Sequence, residues 1–307
     1  MTNTDGYSTG VALWTAVTAH AKTSAKATGV DVGALIRRFV FGRFLARVFH
    51  DPTDPWVLKG GTAVLARVHD ARTTKDVDLL GQLSSVDAAV DALRAVTAVE
   101  LGDHFRFVIT RVERSLGGAG QPAVDGCRVS IDAYCGTAKK TSFGVDLVTG
   151  SLMTAAPELV ADPVLDLRGL VAPTMRLYPV VDHIADKLCA TQATYGADGD
   201  QASSRVRDLV DLVVFAGAQD VDGAALIAAV HGEWTHRGLP GAPTFAPPPA
   251  WEHLYPPLAR RIPACAHARS FADAVTLMGA FLVPVLDGEA AGRRWFASDR
   301  AWKQPVS

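Results

Sequence analysis

Two segments of this 307-residue chain place carboxylates, glycines and cations at spacings that suit phosphate chemistry. In the first, Gly60-Gly61-Thr62 precedes Asp76-Val77-Asp78. The flanking Trp56-Val57-Leu58 and Leu79-Leu80 read as strands. Side chains two apart on a strand point to the same face, so Asp76 and Asp78 present adjacent carboxylates. Such a pair repels itself unless a cation intervenes, and a hard divalent ion, Mg²⁺ or Mn²⁺, suits oxygen ligands. A diglycine lets backbone N–H groups come close to a phosphate, and the Thr62 hydroxyl can donate to it. A glycine turn with a DxD segment is the chemistry of nucleotidyl transfer, in which a hydroxyl attacks a held triphosphate and pyrophosphate leaves. The competing reading is a surface loop with ordinary acids.

A third carboxylate would complete the set. Asp146 (FGVDLV) and Asp132 (VSIDAY) both interrupt apolar strands, where an acid is costly unless paired or bound to metal. Asp146 is the preferred candidate and Asp132 the other. The alternative is that one of them pairs with an arginine such as Arg128.

The second segment runs from Tyr178 to Ala190 and on to Arg205-Val206-Arg207-Asp208-Leu209-Val210-Asp211-Leu212. Val181, Ile184, Ala185 and Leu188 form a buried helical stripe with Lys187 at its edge. Asp208 and Asp211 share a helix face. Lys187 can serve a triphosphate as a compact cation, or pair with Asp208 or Asp211. Both can hold at once, with the acid orienting the lysine.

The elements that must position these groups are legible in outline. Residues 9–28 and 31–50 read as helices, the second carrying Arg37, Arg38, Arg43 and Arg47 largely off its apolar face. Asp51 to Pro55 breaks the chain. Residues 56–80 read as strand, glycine turn, short helix, loop and strand. A helix over 86–98, a strand over 104–113, a turn over 117–122 and strands over 127–134 and 142–150 follow. Helices are expected over 179–195, over 203–217 with Ser203 or Ser204 as N-cap, over 221–236 and over 268–283. The proline-rich residues 239–257 read as a stiff extended crossing. The pattern implies an α+β (α/β) domain over 1–175, including the N-terminal helices, and a mainly helical domain over 176–307.

Composition narrows the function classes. Hydrophobic residues are 49% and charged residues 20%, which suits a packed globular chain. Thirty Lys+Arg against 32 Asp+Glu leave a net charge of −2. A nucleic-acid contact must therefore use a local patch. The candidates are the α-helical arginines above, Lys139-Lys140, Arg205 with Arg207, and Arg260-Arg261. The best apolar run, Val275 to Leu286, is short and broken by Gly279 and Pro284, so no membrane span is expected. No secretory signal is visible, and Cys127, Cys135, Cys189 and Cys265 form no CxxC pair, so a reducing cytoplasm is expected. His231 and His236 do not share a helix face, and no zinc site is expected.

Four segments in series resemble the AbiEii/MenT family of nucleotidyltransferase-like toxins from bacterial toxin–antitoxin systems. Leu58 to Ala63 looks like the family's glycine turn, and Arg72 to Leu79 like its DxD segment. Ile184 to Ala190 is similar to its lysine helix, and Arg207 to Leu212 to its later DxxD helix. The resemblance implies a polymerase-β-type nucleotidyltransferase core and a helical C-terminal domain. It implies a nucleoside triphosphate donor with Mg²⁺, transfer of a nucleotide to the 3′ end of tRNA, blocked aminoacylation, and a cognate antitoxin as partner. On this reading Asp76, Asp78 and Asp146 or Asp132 bind metal, and Gly60, Gly61 and Thr62 hold phosphates. Lys187 neutralises the triphosphate, and Asp208 with Asp211 positions Lys187 or the base and ribose. Thr73 and Thr74, just before the acids, are candidate phosphorylation sites that would repel an incoming triphosphate. The alternatives are transfer onto a protein hydroxyl, and a GTP- or NTP-binding module without catalysis.

Overall fold

The computed structural model describes residues 6–115, 125–161, 167–195 and 201–304. The turn expected over 117–122 lies outside them. Helix α1 (Gly10–Thr28) starts where the Thr9 hydroxyl accepts the Ala12 N–H and ends at Gly29, whose φ of 74° only glycine adopts freely. Helix α2 (Val32–Val48) is capped by Asp31. Leu13 and Val17 of α1, with Phe39 and Phe44 of α2, join the first hydrophobic core.

Two of the α2 arginines are not a solvated face. Arg43 and Arg47 are buried and both bond Asp103, at 2.7 Å each. Arg47 also donates to the Phe105 carbonyl at 2.8 Å. Their charge is spent inside the protein, which corrects their place among the phosphate-contact candidates. An apolar helix face accepts guanidinium only where carboxylate and carbonyl oxygens meet it, and the partner lies 56 to 60 residues away, beyond the reach of local pattern.

A seven-stranded mixed sheet organises the first half of the chain. Its strands are β1 (Trp56–Lys59), β2 (Asp76–Gly81), β3 (Phe105–Ser115), β4 (Asp125–Cys135), β5 (Ala138–Thr149), β6 (Glu158–Ala161) and β7 (Thr174–Leu177). They lie in the order β3-β4-β5-β2-β1-β7-β6. Helix α3 (Gly60–Arg67) joins β1 to the loop before β2, and α4 (Val86–Thr97) follows β2. The β4–β5 pair is a long hairpin, and β5 runs parallel to β2 in the sheet centre. Strands β6 and β7 are four residues each, too short for an alternating pattern to show in sequence.

The second half is mainly helical: α5 (Val180–Gln192), α6 (Val206–Ala218), α7 (Gly223–His236), α8 (Trp251–Ala259) and α9 (Phe271–Leu286). A small sheet of β8 (Val221–Asp222), β9 (Arg294–Phe296) and β10 (Ala301–Lys303) closes it. A second core draws on these helices together with Val64, Leu65 and Ala71, so α3 is shared between the two halves. Among the described residues no helix is long and apolar enough to cross a membrane.

Three expectations are corrected here. Helix α6 starts at Val206 with Arg205 as N-cap. The Ser203 hydroxyl instead donates to the Ala190 carbonyl at 2.9 Å, closing the end of α5. The proline-rich crossing contains helix α8 in its second half. Pro256 and Pro257 sit inside it at little cost, because the carbonyls that lose a partner belong to exposed Glu252 and His253. Burial of Trp251 and Tyr255 decides the matter. The last helix runs three residues later than expected at each end, set by a Ser270–Asp273 capping box.

Candidate active site

The register of two neighbouring strands gathers the carboxylates. Asp78 on β2 pairs with Asp146 on β5, and Asp76 with Gly144. Asp76 and Asp78 fall on one face of β2, so all three acids lie together at the centre of the sheet. Asp132 lies elsewhere. It accepts from the Ser142 hydroxyl and the Lys139 ammonium, at 2.7 Å each, further along the hairpin.

Charge repulsion is visible in this group. Burial raises the Asp78 carboxyl to about 7, and the nearby charges of Asp146 and Asp76 add to the rise, against pulls from Lys187 and Arg72. Asp146 is also raised by burial, with Arg128 opposing. The Arg128 guanidinium on β4 donates to both Asp146 oxygens, at 2.8 and 3.1 Å, and bonds Asp76 as well. An all-carboxylate donor set short of positive charge fits Mg²⁺ or Mn²⁺. Among the described residues no three His, Cys, Asp or Glu side chains already surround a metal-sized point. For these acids to hold an ion they would have to draw together, and Arg128 would have to move aside.

The glycine turn abuts these acids. Lys59 pairs with Asp78 across β1 and β2, and α3 begins at the next residue. Gly60 has φ 58°, and a Cβ there would collide with the Asp78 carboxylate. Only glycine combines that backbone with that neighbour. The first turn of α3 has no side-chain cap, so its N–H groups are left for an anion. The Thr62 hydroxyl donates to the Asp76 carbonyl at 2.9 Å. Its proton ties α3 to β2 and is not aimed at a phosphate. Thr74 donates to the same carbonyl at 3.0 Å, while Thr73 is exposed. Gly60→Ala should lower kcat/KM for nucleotide transfer by about 10²-fold with the far-ultraviolet circular dichroism unchanged. Unaltered kinetics would remove the turn from the site.

Helices α5 and α6 bring the cations. Lys187 is buried and donates to Asp208 at 2.9 Å and to Asp211 at 2.7 Å. Burial disfavours its charge, yet the two carboxylates outweigh this and raise it above the ordinary lysine value. Burial likewise opposes ionised Asp208, but Lys187 and Arg205 hold its carboxyl below the usual range. The neighbour of Lys187, Asp186, takes Arg237 at 2.6 Å and lies 3.8 Å from Lys59. That contact locks α5 against the strand that leads into the glycine turn.

Arg72 was not among the expected site residues. Its guanidinium grips both oxygens of Asp211 at 2.8 Å, and it lies within charge range of Asp78. It sits under Gly61, where a Cβ would stand 3.1 Å from it. Arg72 opens the DxD segment, which was the available signal, but its partner is 139 residues away. The result is a face of acids on the sheet near Lys187 of α5 and Arg72 of the loop before β2, with the open first turn of α3 beside them and Arg205 at the N-cap of α6. Such an arrangement can hold a polyphosphate and stabilise charge as it moves to a leaving pyrophosphate.

Comparison with known proteins agrees with this chemistry. Residues 43–277 match the model of the nucleotidyl transferase AbiEii toxin family, type IV toxin–antitoxin system. The nucleotidyltransferase toxin MenT4 from Mycobacterium tuberculosis H37Rv is similar in structure at TM-score 0.47 and 17% identity, over 90% of this chain and 97% of that one. JHP933 from Helicobacter pylori is similar at TM-score 0.40 and 16% identity, over 67% of this chain and 80% of that one. No curated protein matches the chain. Since the family model spans well over half of the sequence and takes in the glycine turn, the DxD strand and both cation-bearing helices, the chain belongs to the AbiEii nucleotidyl transferase toxin family and is a nucleotidyltransferase.

Proposed function

We propose that this chain moves a nucleoside monophosphate from an NTP to the 3′ end of tRNA in a Mg²⁺-dependent reaction, blocking aminoacylation, and that a cognate antitoxin restrains it. The observation that carries this reading is the opposition of Asp76, Asp78 and Asp146 to Lys187 and Arg72 across the uncapped first turn of α3.

Asp76, Asp78 and Asp146 hold the divalent ion, which when bound neutralises the triphosphate and favours the ionised form of the attacking hydroxyl. The N–H groups of Gly60 and Gly61 take phosphate oxygens, and Thr62 fixes their distance from Asp76. Lys187 faces the charge that develops on the leaving pyrophosphate. Asp208 and Asp211 aim it, Arg72 grips Asp211, and Arg205 helps to hold Asp208 ionised. The attacking 3′ hydroxyl forms a bond to the α-phosphorus as the bond to pyrophosphate breaks.

Exposed Arg205, which shares Asp208 with Lys187, and exposed Arg207 lie at the start of α6. They support an RNA end as acceptor, since a phosphate backbone is recognised mainly by such cations. Incubation with each labelled NTP, total RNA and lysate protein tests the proposal. Label in tRNA that depends on Mg²⁺ is the expected result. Label only on protein, or NTP binding with no product, overturns the acceptor assignment.

A further inference from the structure

The sheet carries a cation of its own in the place where the reading above puts a metal. Arg128 stands on β4 directly across from Asp146. Its guanidinium gives Nη1 to both Asp146 oxygens and Nη2 to Asp76, which lies on the far side of β5. It passes over β5 at Gly144. A Cβ on that glycine would lie 2.5 Å from Nη2 and 2.9 Å from the Asp76 oxygen. Gly144 has no left-handed backbone conformation to explain it. What it provides is a gap in the strand that the arginine side chain fills.

We propose that Arg128 is a tethered counter-cation of the metal site: it bridges Asp76 and Asp146 in the metal-free protein and is displaced when a divalent ion binds. This rests on Asp76 and Asp146 being metal ligands. The pair is about half exposed, so its strength is modest and an ion can compete with it. The flexible side chain leaves by rotation about its own bonds, with no change in the strands. Until then it offsets the repulsion among three acids that the strand register forces together, and it holds the donor site shut against stray cations.

The test is Mn²⁺ binding to EDTA-stripped full-length protein, read by electron paramagnetic resonance of free Mn²⁺, with no nucleotide present. Arg128→Gln should tighten Mn²⁺ binding about tenfold, because a positive competitor is removed from both ligands. Arg114→Gln removes a more exposed charge that pairs with Asp87 and not with these acids and should leave affinity unchanged. Weaker or unaltered Mn²⁺ binding in Arg128→Gln, with binding still lost in Asp76→Asn, overturns the counter-cation and leaves the metal site standing. Equal tightening in Arg114→Gln also overturns it, since bulk charge would then suffice. Mn²⁺ affinity indifferent to Asp76→Asn and Asp146→Asn overturns the metal site and the inference with it.

Discussion

Asp78→Asn should abolish nucleotidyl transfer, by about 10³-fold or more, while raising the melting temperature of the metal-free protein. The two effects have one cause. Asp78 sits between Asp76 on its own strand and Asp146 on the next, in a half-buried position that disfavours its charge. In the proposed mechanism the folded protein bears that cost for the sake of an ion and a triphosphate. Asparagine has the same shape, keeps the contact with Gly60 and carries no charge. Repulsion is relieved and the ligand is lost. A variant that melts lower and still transfers nucleotide at the wild-type rate would make Asp78 a structural residue and defeat the proposed mechanism. Radiolabel incorporation and differential scanning calorimetry on one preparation decide it.

Asp103→Ala should have the largest effect on stability without touching the chemistry. Asp103 is the shared acid of Arg43 and Arg47 and also accepts the Phe105 N–H at 3.1 Å. Alanine strands two buried guanidiniums together. Breaking a buried pair in this way costs about 3–5 kcal/mol, a loss of roughly 5–8 °C in melting temperature for a chain of this size. Transfer per folded molecule should be unchanged at low temperature. The triple replacement Arg43→Leu, Arg47→Met, Asp103→Leu should recover much of the loss, because a packed apolar group often equals a buried ion group in stability. A single variant that melts within about 2 °C of wild type would show that the arginines reach water.

Local motifs made part of the site readable from sequence. The diglycine, the DxD strand, the lysine helix and the acids of α6 each occupy a few consecutive residues, and the chemistry follows from residue type and period. What escaped depends on partners remote in sequence. Arg72 stands four residues before Asp76, but nothing local says that it grips Asp211. Arg128 could be named as a partner for an acid, yet its reach over Gly144 to a second acid follows only from the register of β4, β5 and β2. The same holds for Arg43 and Arg47, which look solvated until Asp103 is brought to them. Strand lengths of two to four residues in β6 to β10 left no period to detect. Helix α8 was hidden because the density of prolines over 239–257 suggested an extended segment, whereas its buried face outweighs the two hydrogen bonds that Pro256 and Pro257 remove at the solvent edge.

The grip of Arg72 on Asp211 spans nearly half of the 307 residues. During synthesis the glycine turn and the acid strands emerge first, and for a long interval they have neither Lys187 nor the α6 acids opposite them. A growing chain therefore lacks the cation half of the candidate site until α5 and α6 have been made. The two halves of the candidate site can meet only after α6 has left the ribosome, so assembly of the site waits on a segment far from the glycine turn in sequence.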